Sequence, residues 1–202
     1  MKTLTDSEPP APRRRVGGRS ALVMQAVADA VMAELVEGGV ENFSVPRVAA
    51  RAGVNSSSIY RRWATKGALI AFAGGRWAEA LMPTPDLGSL RSDLVQILEN
   101  GQRFVNDPRG RALVALNFGE GDSATDAGSQ GAYWQQRLQQ HQAIFDRAIA
   151  RGELAAHADV EEILERTIGP LYARAFISRR PLDRDFFERV VDAALFSEKQ
   201  LS

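Results

Sequence analysis

Apolar residues recur at helical spacing along most of the chain. From Ser20 they follow one another at steps of three and four residues as far as Leu35, and Gly38–Gly39 then ends the segment. Longer segments with the same spacing follow Pro85 and predict five further helices, at residues 87–105, 109–118, 132–151, 161–178 and 183–198. No segment alternates at period two with β-branched enrichment. The pattern therefore predicts an all-α protein with about nine helices.

Two very short helices are predicted after the first one. Ser44 is a typical N-cap, and Pro46 fits the first turn because its missing N–H has no partner to lose there. Gly53 ends this helix after about two turns. Asn55 or one of the serines after it caps the second short helix, which runs to Trp63. Such a pair is too short to be stable alone and needs neighbouring helices packed against it.

The composition divides the chain into three parts. Residues 1–19 are polar, proline-containing and arginine-rich, which predicts a disordered basic tail, and no apolar stretch there resembles a secretory signal. Thr65 opens a fourth helix, and the Met82–Pro85 segment closes it. We therefore expect a smaller helical domain over residues 20–82 and a larger one over 83–202.

Charge is distributed unevenly, although 25 Lys and Arg balance 25 Asp and Glu overall. Residues 1–82 carry eleven basic and seven acidic side chains, a net charge of +4, so residues 83–202 carry −4. Such asymmetry suggests that one half meets a polyanion. The absence of cysteine excludes disulfides, thiolate zinc sites and thiol nucleophiles. No apolar run approaches the roughly 18 residues that span a bilayer, so a cytoplasmic location is expected.

The segment Phe43–Leu69, FSVPRVAARAGVNSSSIYRRWATKGAL, contains no Asp or Glu and is the most informative part of the chain. Its two short helices can share a buried seam formed by Ala49, Val54 and Ile59. The outward residues of the second helix are then small or basic, and a helix of that kind can enter the major groove of DNA. The segment therefore predicts a DNA-binding helix-turn-helix. The alternative is a solvated amphipathic hairpin.

This segment resembles the DNA-binding domain of the TetR family of transcriptional regulators. The resemblance covers residues 20–72 and rests on Phe43-Ser44, Val48-Ala49, Ala52-Gly53-Val54, Ile59-Tyr60-Arg61, Trp63 and Lys66-Gly67-Ala68-Leu69. Residues 148–154 (AIARGEL) and 169–172 (GPLY) are similar, more loosely, to the ligand-binding domain of one large branch of the family. Trp63 stands where the family more often has Phe. The second short helix also begins without the Lys or Arg often found there, so the operator sequence is not inferable.

The resemblance implies DNA contacts at eight positions: Ser44, Ser56, Ser57, Ser58, Tyr60, Arg61, Arg62 and Lys66. Ser44 and Lys66 lie at helix starts and are expected to meet phosphates, as is the hydroxyl of Tyr60. Arg61 and Arg62 lie on different sides of their helix, and Arg62 is the better candidate for a base edge. Trp63 is expected to pack in the core. Residues 13–15 and Arg19 either lie in a minor groove as an arm or form a solvated charge run.

The resemblance further implies that residues 86–202 hold an effector pocket and a dimer surface. A partly apolar pocket is expected between the fifth and eighth helices, lined by Phe104, Leu116, Phe118, Trp134, Leu138, Phe145 and Tyr172. A homodimer interface is expected on the last two helices, at Leu171, Phe176, Phe187, Val190, Val191 and Leu195. The intramolecular core is the competing role for residues in both groups.

The expected function is that of a repressor released from double-stranded operator DNA by a small-molecule effector. A DNA-binding protein without an effector is the main alternative, and a protein-interaction module is a further one. No catalytic residue, cofactor or metal site is predicted. The only histidines, His141 and His157, lie in polar stretches without metal-ligand spacing, and the nearby acids Glu120, Asp122 and Asp126 are typical of a solvated loop.

Overall fold

Nine α-helices run through residues 17–118 and 127–201, which are the residues that this computed structural model describes. The side chains of residues 17, 19, 117, 118, 127–134, 136 and 197–201 are not included in that description. The described residues contain no strand, which confirms the all-α prediction. None of the described helices is long and apolar enough to cross a membrane.

The first four helices are α1 (Gly17–Gly38), α2 (Val45–Ala52), α3 (Ser56–Arg62) and α4 (Lys66–Leu81). Three of them start at side chains that accept a backbone N–H: Ser44 from Arg47, Asn55 from Ser57 and Thr65 from Ala68. The predicted caps at Ser44 and Asn55 and the predicted start at Thr65 are thus confirmed. Helix α1 starts at residue 17, inside the range predicted as the tail, rather than at residue 20. Residues 1–16, with the arginines at 13–15, lie outside the described part.

The remaining helices are α5 (Leu90–Asn106), α6 (Pro108–Phe118), α7 (Ala127–Ala150), α8 (Val160–Tyr172) and α9 (Arg184–Leu201). Helix α5 starts three residues later than predicted because Ser89 provides its N-cap. Helix α7 begins at Ala127, five residues before the predicted start at residue 132. The acids Glu120, Asp122 and Asp126 lie outside the described residues.

The predicted helix over residues 161–178 changes character near its end. Pro170 stands inside α8 and has no N–H to donate. Three residues later the helix widens into a π-helical turn of six residues, Ala173–Ser178. Arg179 ends that turn in the left-handed region with φ 53°. Prolines and π-turns are both known causes of local helix distortion.

Helix α4 connects the two halves of one continuous apolar core. It packs against α1 on one side and against α5 and α7 on the other. Trp77 of α4 lies 5.3 Å from the ring of Phe104 in α5, centroid to centroid, and the Arg109 guanidinium of α6 lies 5.0 Å from the Trp77 ring. Helix α4 therefore contacts both α1 and the larger helices of the second half.

Burial separates the residues predicted for the dimer surface into two groups. Leu171, Phe187 and Val191 are fully buried against the rest of their own chain, so these three are core residues and not surface. Phe176, Val190 and Leu195 remain partly exposed. The stripe of apolar residues on α8 and α9 is wide because it serves the intramolecular core first.

The residues predicted for the effector pocket lie at different depths. Phe104 and Phe145 are fully buried in the core, whereas Leu116, Leu138 and Tyr172 are partly buried and pack against it. The side chains of Phe118 and Trp134 lie outside the described ones. Two clefts among the described residues, of about 760 Å³ and about 270 Å³, are lined by other residues. An effector pocket at the predicted positions stays a prediction.

Candidate nucleic-acid interface

The turn between α2 and α3 requires a residue that tolerates left-handed backbone. Gly53 has φ 65° and ψ 32°, and its N–H bonds to the carbonyls of Ala49 and Ala50 at the end of α2. Behind the turn, Ala49 and Ile59 are fully buried and Val54 packs against the same core. The predicted seam is therefore present, and it fixes the angle at which α3 leaves α2.

We expect Gly53→Ala to lower the free energy of unfolding by about 1 kcal/mol, because a Cβ disfavours this backbone region while meeting no neighbouring atom. Urea unfolding followed by circular dichroism measures the change. Gly18→Ala is the matched control, since Gly18 lies in α1 without a positive φ and with open space around it. Equal stability of the two variants would contradict the strained-turn account.

The outer surface of α3 presents polar and basic side chains to solvent. Ser57, Ser58, Tyr60, Arg61 and Arg62 are exposed. Tyr60 is notable because 57% of a large aromatic side chain remains accessible, which a purely structural tyrosine at this position would not need. Ser56, at the first position of α3, is half-buried. Five of the eight predicted contact residues thus lie together on one accessible helix.

Arg62 is held against an aromatic neighbour. Its guanidinium carbon lies 5.7 Å from the centroid of the Trp63 ring, and that ring lies 4.8 Å from Phe72 in α4. Trp63 packs against the core, as predicted. Because stacking on a fixed ring restricts the guanidinium, Arg62 loses less side-chain freedom on binding than a fully free arginine would.

A buried acid of α1 fixes the start of α2. Glu34 is 2% exposed, and its Oε1 accepts the backbone N–H of Ser44 at 3.1 Å and the Arg47 Nε–H at 2.7 Å. Arg47 also donates to the carbonyl of Asn42. We call Glu34, Ser44 and Arg47 the Glu34 clamp. The Ser44 hydroxyl serves as the N-cap acceptor and retains its own O–H to donate to a phosphate.

Sequence reasoning missed the Glu34 clamp. Glu34 lies three positions after Val31 and directly before Leu35, and both of these residues are fully buried. This spacing places Glu34 on the apolar face of α1, so its burial could have been predicted from the sequence. An acid at such a position is expected to have a basic partner.

Lys66 is engaged with the protein itself. Its ammonium donates to the carbonyl oxygen of Val40 at 2.5 Å and lies 5.3 Å from the ring centroid of Phe43. An ammonium has three donors, so two N–H groups remain for a phosphate. The contact ties the start of α4 to the loop between α1 and α2.

Carboxylates near the helix-turn-helix are neutralised by its arginines. Arg51 of α2 binds Glu37 of α1 with contacts of 2.8 and 2.6 Å, and this hydrogen bond holds the pKa of the Glu37 carboxyl below its usual value. Glu34 is paired with Arg47 in the same way. Ser44 and the described residues of α3 themselves carry no carboxylate, which suits this surface to a polyanion.

Two family models match this chain and together cover most of it. Residues 22–72 match the model described as bacterial regulatory proteins of the tetR family, and residues 84–194 match the tetracyclin repressor-like C-terminal domain. The chain belongs to the TetR family. The predicted membership is thus confirmed, and this TetR-family protein is a DNA-binding transcriptional regulator.

Relatives of this TetR-family regulator are similar over most of their length. The HTH-type transcriptional regulator AqdR of Rhodococcus erythropolis is 34% identical over 168 residues, covering 83% of this chain and 80% of AqdR. The DNA-binding transcriptional repressor TetR of Mycobacteroides abscessus is 30% identical over 80% of this chain and 85% of its own. The crystal structure of the TetR family transcription regulator SCO0332 superposes with a TM-score of 0.69 at 29% identity, covering 86% and 97%. These three relatives are all transcriptional regulators.

Proposed function

We propose that this regulator is a homodimeric repressor whose two α3 helices read the half-sites of a double-stranded operator, and that a small, partly apolar effector releases it. The observation that supports the DNA contacts is the exposed face of α3, with hydroxyls, one phenol and two guanidiniums beside an acid-free turn. In this proposal Ser57, Ser58 and Arg62 reach base edges, while Ser44, Tyr60 and Lys66 meet phosphates. Ser56 and Arg61 lie at the wall of the groove.

A dimer is needed because one seven-residue recognition helix contacts only a few base pairs. Partly exposed Phe176, Val190 and Leu195 form the centre of the proposed interface. Two large apolar side chains that sequence reasoning did not include, Ile177 and Phe196, are 83% and 62% exposed on the same two elements and extend it. Half-sites are then expected about 34–36 Å apart, or a multiple of that distance.

The proposed effector acts on the segment that follows α4. Helix α7 holds this segment by three hydrogen bonds: Gln140 Nε2 donates to the Met82 carbonyl at 3.1 Å, the Thr84 hydroxyl to the Gln140 carbonyl at 2.9 Å, and Arg147 to the Pro85 carbonyl at 2.6 Å. An effector that shifts α7 thereby moves the end of α4, and α4 packs on α1. Release follows if the effector prefers the arrangement in which the two α3 helices no longer fit the operator.

The test is binding of the purified full chain to the duplex upstream of its own gene, followed by fluorescence anisotropy across salt concentrations. We expect binding tighter than to a scrambled duplex, with log K falling by about 0.9 for each phosphate neutralised per unit of log salt. Arg62→Ala is expected to weaken operator binding by about 1–3 kcal/mol and to leave scrambled-duplex binding nearly unchanged, because a base contact carries sequence information.

Arg76→Ala is the matched control. It removes one exposed arginine from the same domain, but from α4, where Arg76 bonds to Gln25. If Arg62 acted only through its charge, Arg62→Ala and Arg76→Ala would each lower the affinity for the operator and the affinity for the scrambled duplex by the same amount. Absence of binding to any duplex at low salt would overturn the proposed DNA contacts.

A further inference from the structure

Arg137 of α7 is a buried cation, and no described residue provides it with an anionic partner. It is 8% exposed. Its N–H groups donate to Gln140 Oε1 at 2.8 Å, to His141 Nε2 at 2.9 Å and to the Met82 sulfur at 3.7 Å, all of them uncharged acceptors. Arg147, ten residues further along the same helix, instead lies 3.2 Å from Asp86 and 3.8 Å from Asp93. Within the described residues, Arg137 has no carboxylate in ion-pair range.

His141, one helical turn away, adds a buried donor that has no acceptor within the described residues. The ring is 1% exposed. Because a guanidinium only donates, His141 Nε2 accepts from Arg137 and the ring proton lies on Nδ1. Nδ1 is buried and has no hydrogen-bond partner within the described residues. Burial, with the nearby Arg137 charge, lowers the pKa of His141 to about 3, so the ring is neutral and does not compensate the guanidinium.

Both side chains occupy places on the helix that apolar residues fill further along. The buried face of α7 continues from Arg137 and His141 to three apolar residues. These are Ile144, Phe145 and Ala148, and each is 0% exposed. A buried charge is unfavourable unless it is paired, and a buried N–H without an acceptor is unfavourable as well. A buried guanidinium without a carboxylate, next to a buried N–H without an acceptor, indicates that an additional acceptor completes the site.

We propose that Arg137 binds the carboxylate of an organic acid, and that this acid is the effector. The inference rests on the proposed effector-regulated function and names the chemical class of the effector. A planar guanidinium matches a carboxylate with two parallel N–H donors. His141 positions the guanidinium through Nε2 and offers its Nδ1–H to a further acceptor atom.

The same site lies where an effector can act on α4. Gln140 accepts from Arg137 and at the same time donates to the carbonyl of Met82, the residue that caps α4. An incoming carboxylate competes with Gln140 and the Met82 sulfur for the guanidinium. Gln140 is half-exposed, so its side chain can turn outward and open the site to solvent. Binding of the acid thus releases one of the bonds that hold the end of α4 to α7.

The experiment uses isothermal titration calorimetry on the full chain with two acids, decanoate and benzoate, and their neutral counterparts, decanamide and benzamide. We expect at least one acid to bind with Kd below about 1 mM and about tenfold or more tightly than its amide. Arg137→Gln is expected to remove this preference. Arg137→Lys is expected to retain part of it, because a point charge replaces the planar pair of donors.

Arg151→Gln is the matched control, since it removes a cation directly after the same helix whose charge is already paired, with the partly exposed Glu153. It is expected to keep the acid preference. If Arg137→Gln fails to fold, as judged by circular dichroism, Arg137→Lys decides the outcome. The proposal is overturned if neither acid binds below about 1 mM, if acid and amide bind equally, or if an Arg137 variant binds as the original chain does.

Operator anisotropy on the same preparations separates the two proposals. If the chain binds the operator but neither acid, the acid-effector site is overturned and the proposed DNA contacts stand. Acid binding through Arg137 in a chain that binds no operator supports the site and overturns the proposed DNA contacts.

Discussion

Arg47→Met is expected to lower the free energy of unfolding by about 3 kcal/mol, because it leaves the Glu34 carboxylate buried without its cation. Glu34 is 2% exposed and accepts from Arg47 Nε at 2.7 Å, and only the Ser44 N–H would remain to it. The start of α2 would lose the support that orients the helix-turn-helix. Operator affinity is therefore expected to fall together with stability.

Arg51→Met provides the matched comparison one helical turn further along α2. Arg51 pairs with Glu37, but those side chains are 39% and 61% exposed, so water replaces the lost partner. Urea unfolding should show a clear drop in midpoint for Arg47→Met and little change for Arg51→Met. If both variants unfolded alike, the Glu34 clamp would have no special role in holding α2.

Gly110→Ala is expected to destabilise the protein by at least about 3 kcal/mol, since the new Cβ would overlap the carbonyl group of Phe104. That carbonyl lies at the end of α5, where it accepts the N–H of Asp107. Neither backbone segment can move aside cheaply, because Asp107 connects α5 directly to α6. The change also disturbs Phe104, which packs on Trp77 of α4.

Gly18→Ala serves again as the reference, because a Cβ there meets nothing within 4 Å. Thermal unfolding monitored by circular dichroism compares the two substitutions directly. A Gly110→Ala protein that melts at the same temperature as Gly18→Ala would show that the corner between α5 and α6 is more adaptable than its geometry indicates.

Local signals were sufficient to predict the helices. Caps such as Ser44 and Asn55, the terminator Gly53 and the three- and four-residue spacing all act within a few residues of one another. The π-helical turn after Pro170 was not predicted, because a proline inside a continuous apolar stripe gives no indication of how the following turn adapts.

The burial of several residues could not be predicted, because the segments that cover them are distant in the sequence. The width of the stripes on α8 and α9 indicates burial but not which surface covers them. The sequence therefore leaves Phe187 and Val191 between a dimer surface and the core, and the structure buries both within their own chain. His141 was interpreted as part of a polar stretch, yet Ile144 and Phe145, three and four positions later, place it on the buried face of α7. Its neighbour Arg137 meets Met82, 55 positions earlier in the chain.

The attachment of the 82–85 segment to α7 has a consequence for how regulators of this shape can be recombined. The segment contributes backbone carbonyls, at Met82 and Pro85, while the donors that reach them are side chains of Gln140 and Arg147. Every amino acid has a carbonyl group, so these two bonds do not depend on which residues stand in the segment. A DNA-binding domain taken from another regulator and joined at this segment would therefore form the same two hydrogen bonds to α7 of the C-terminal domain.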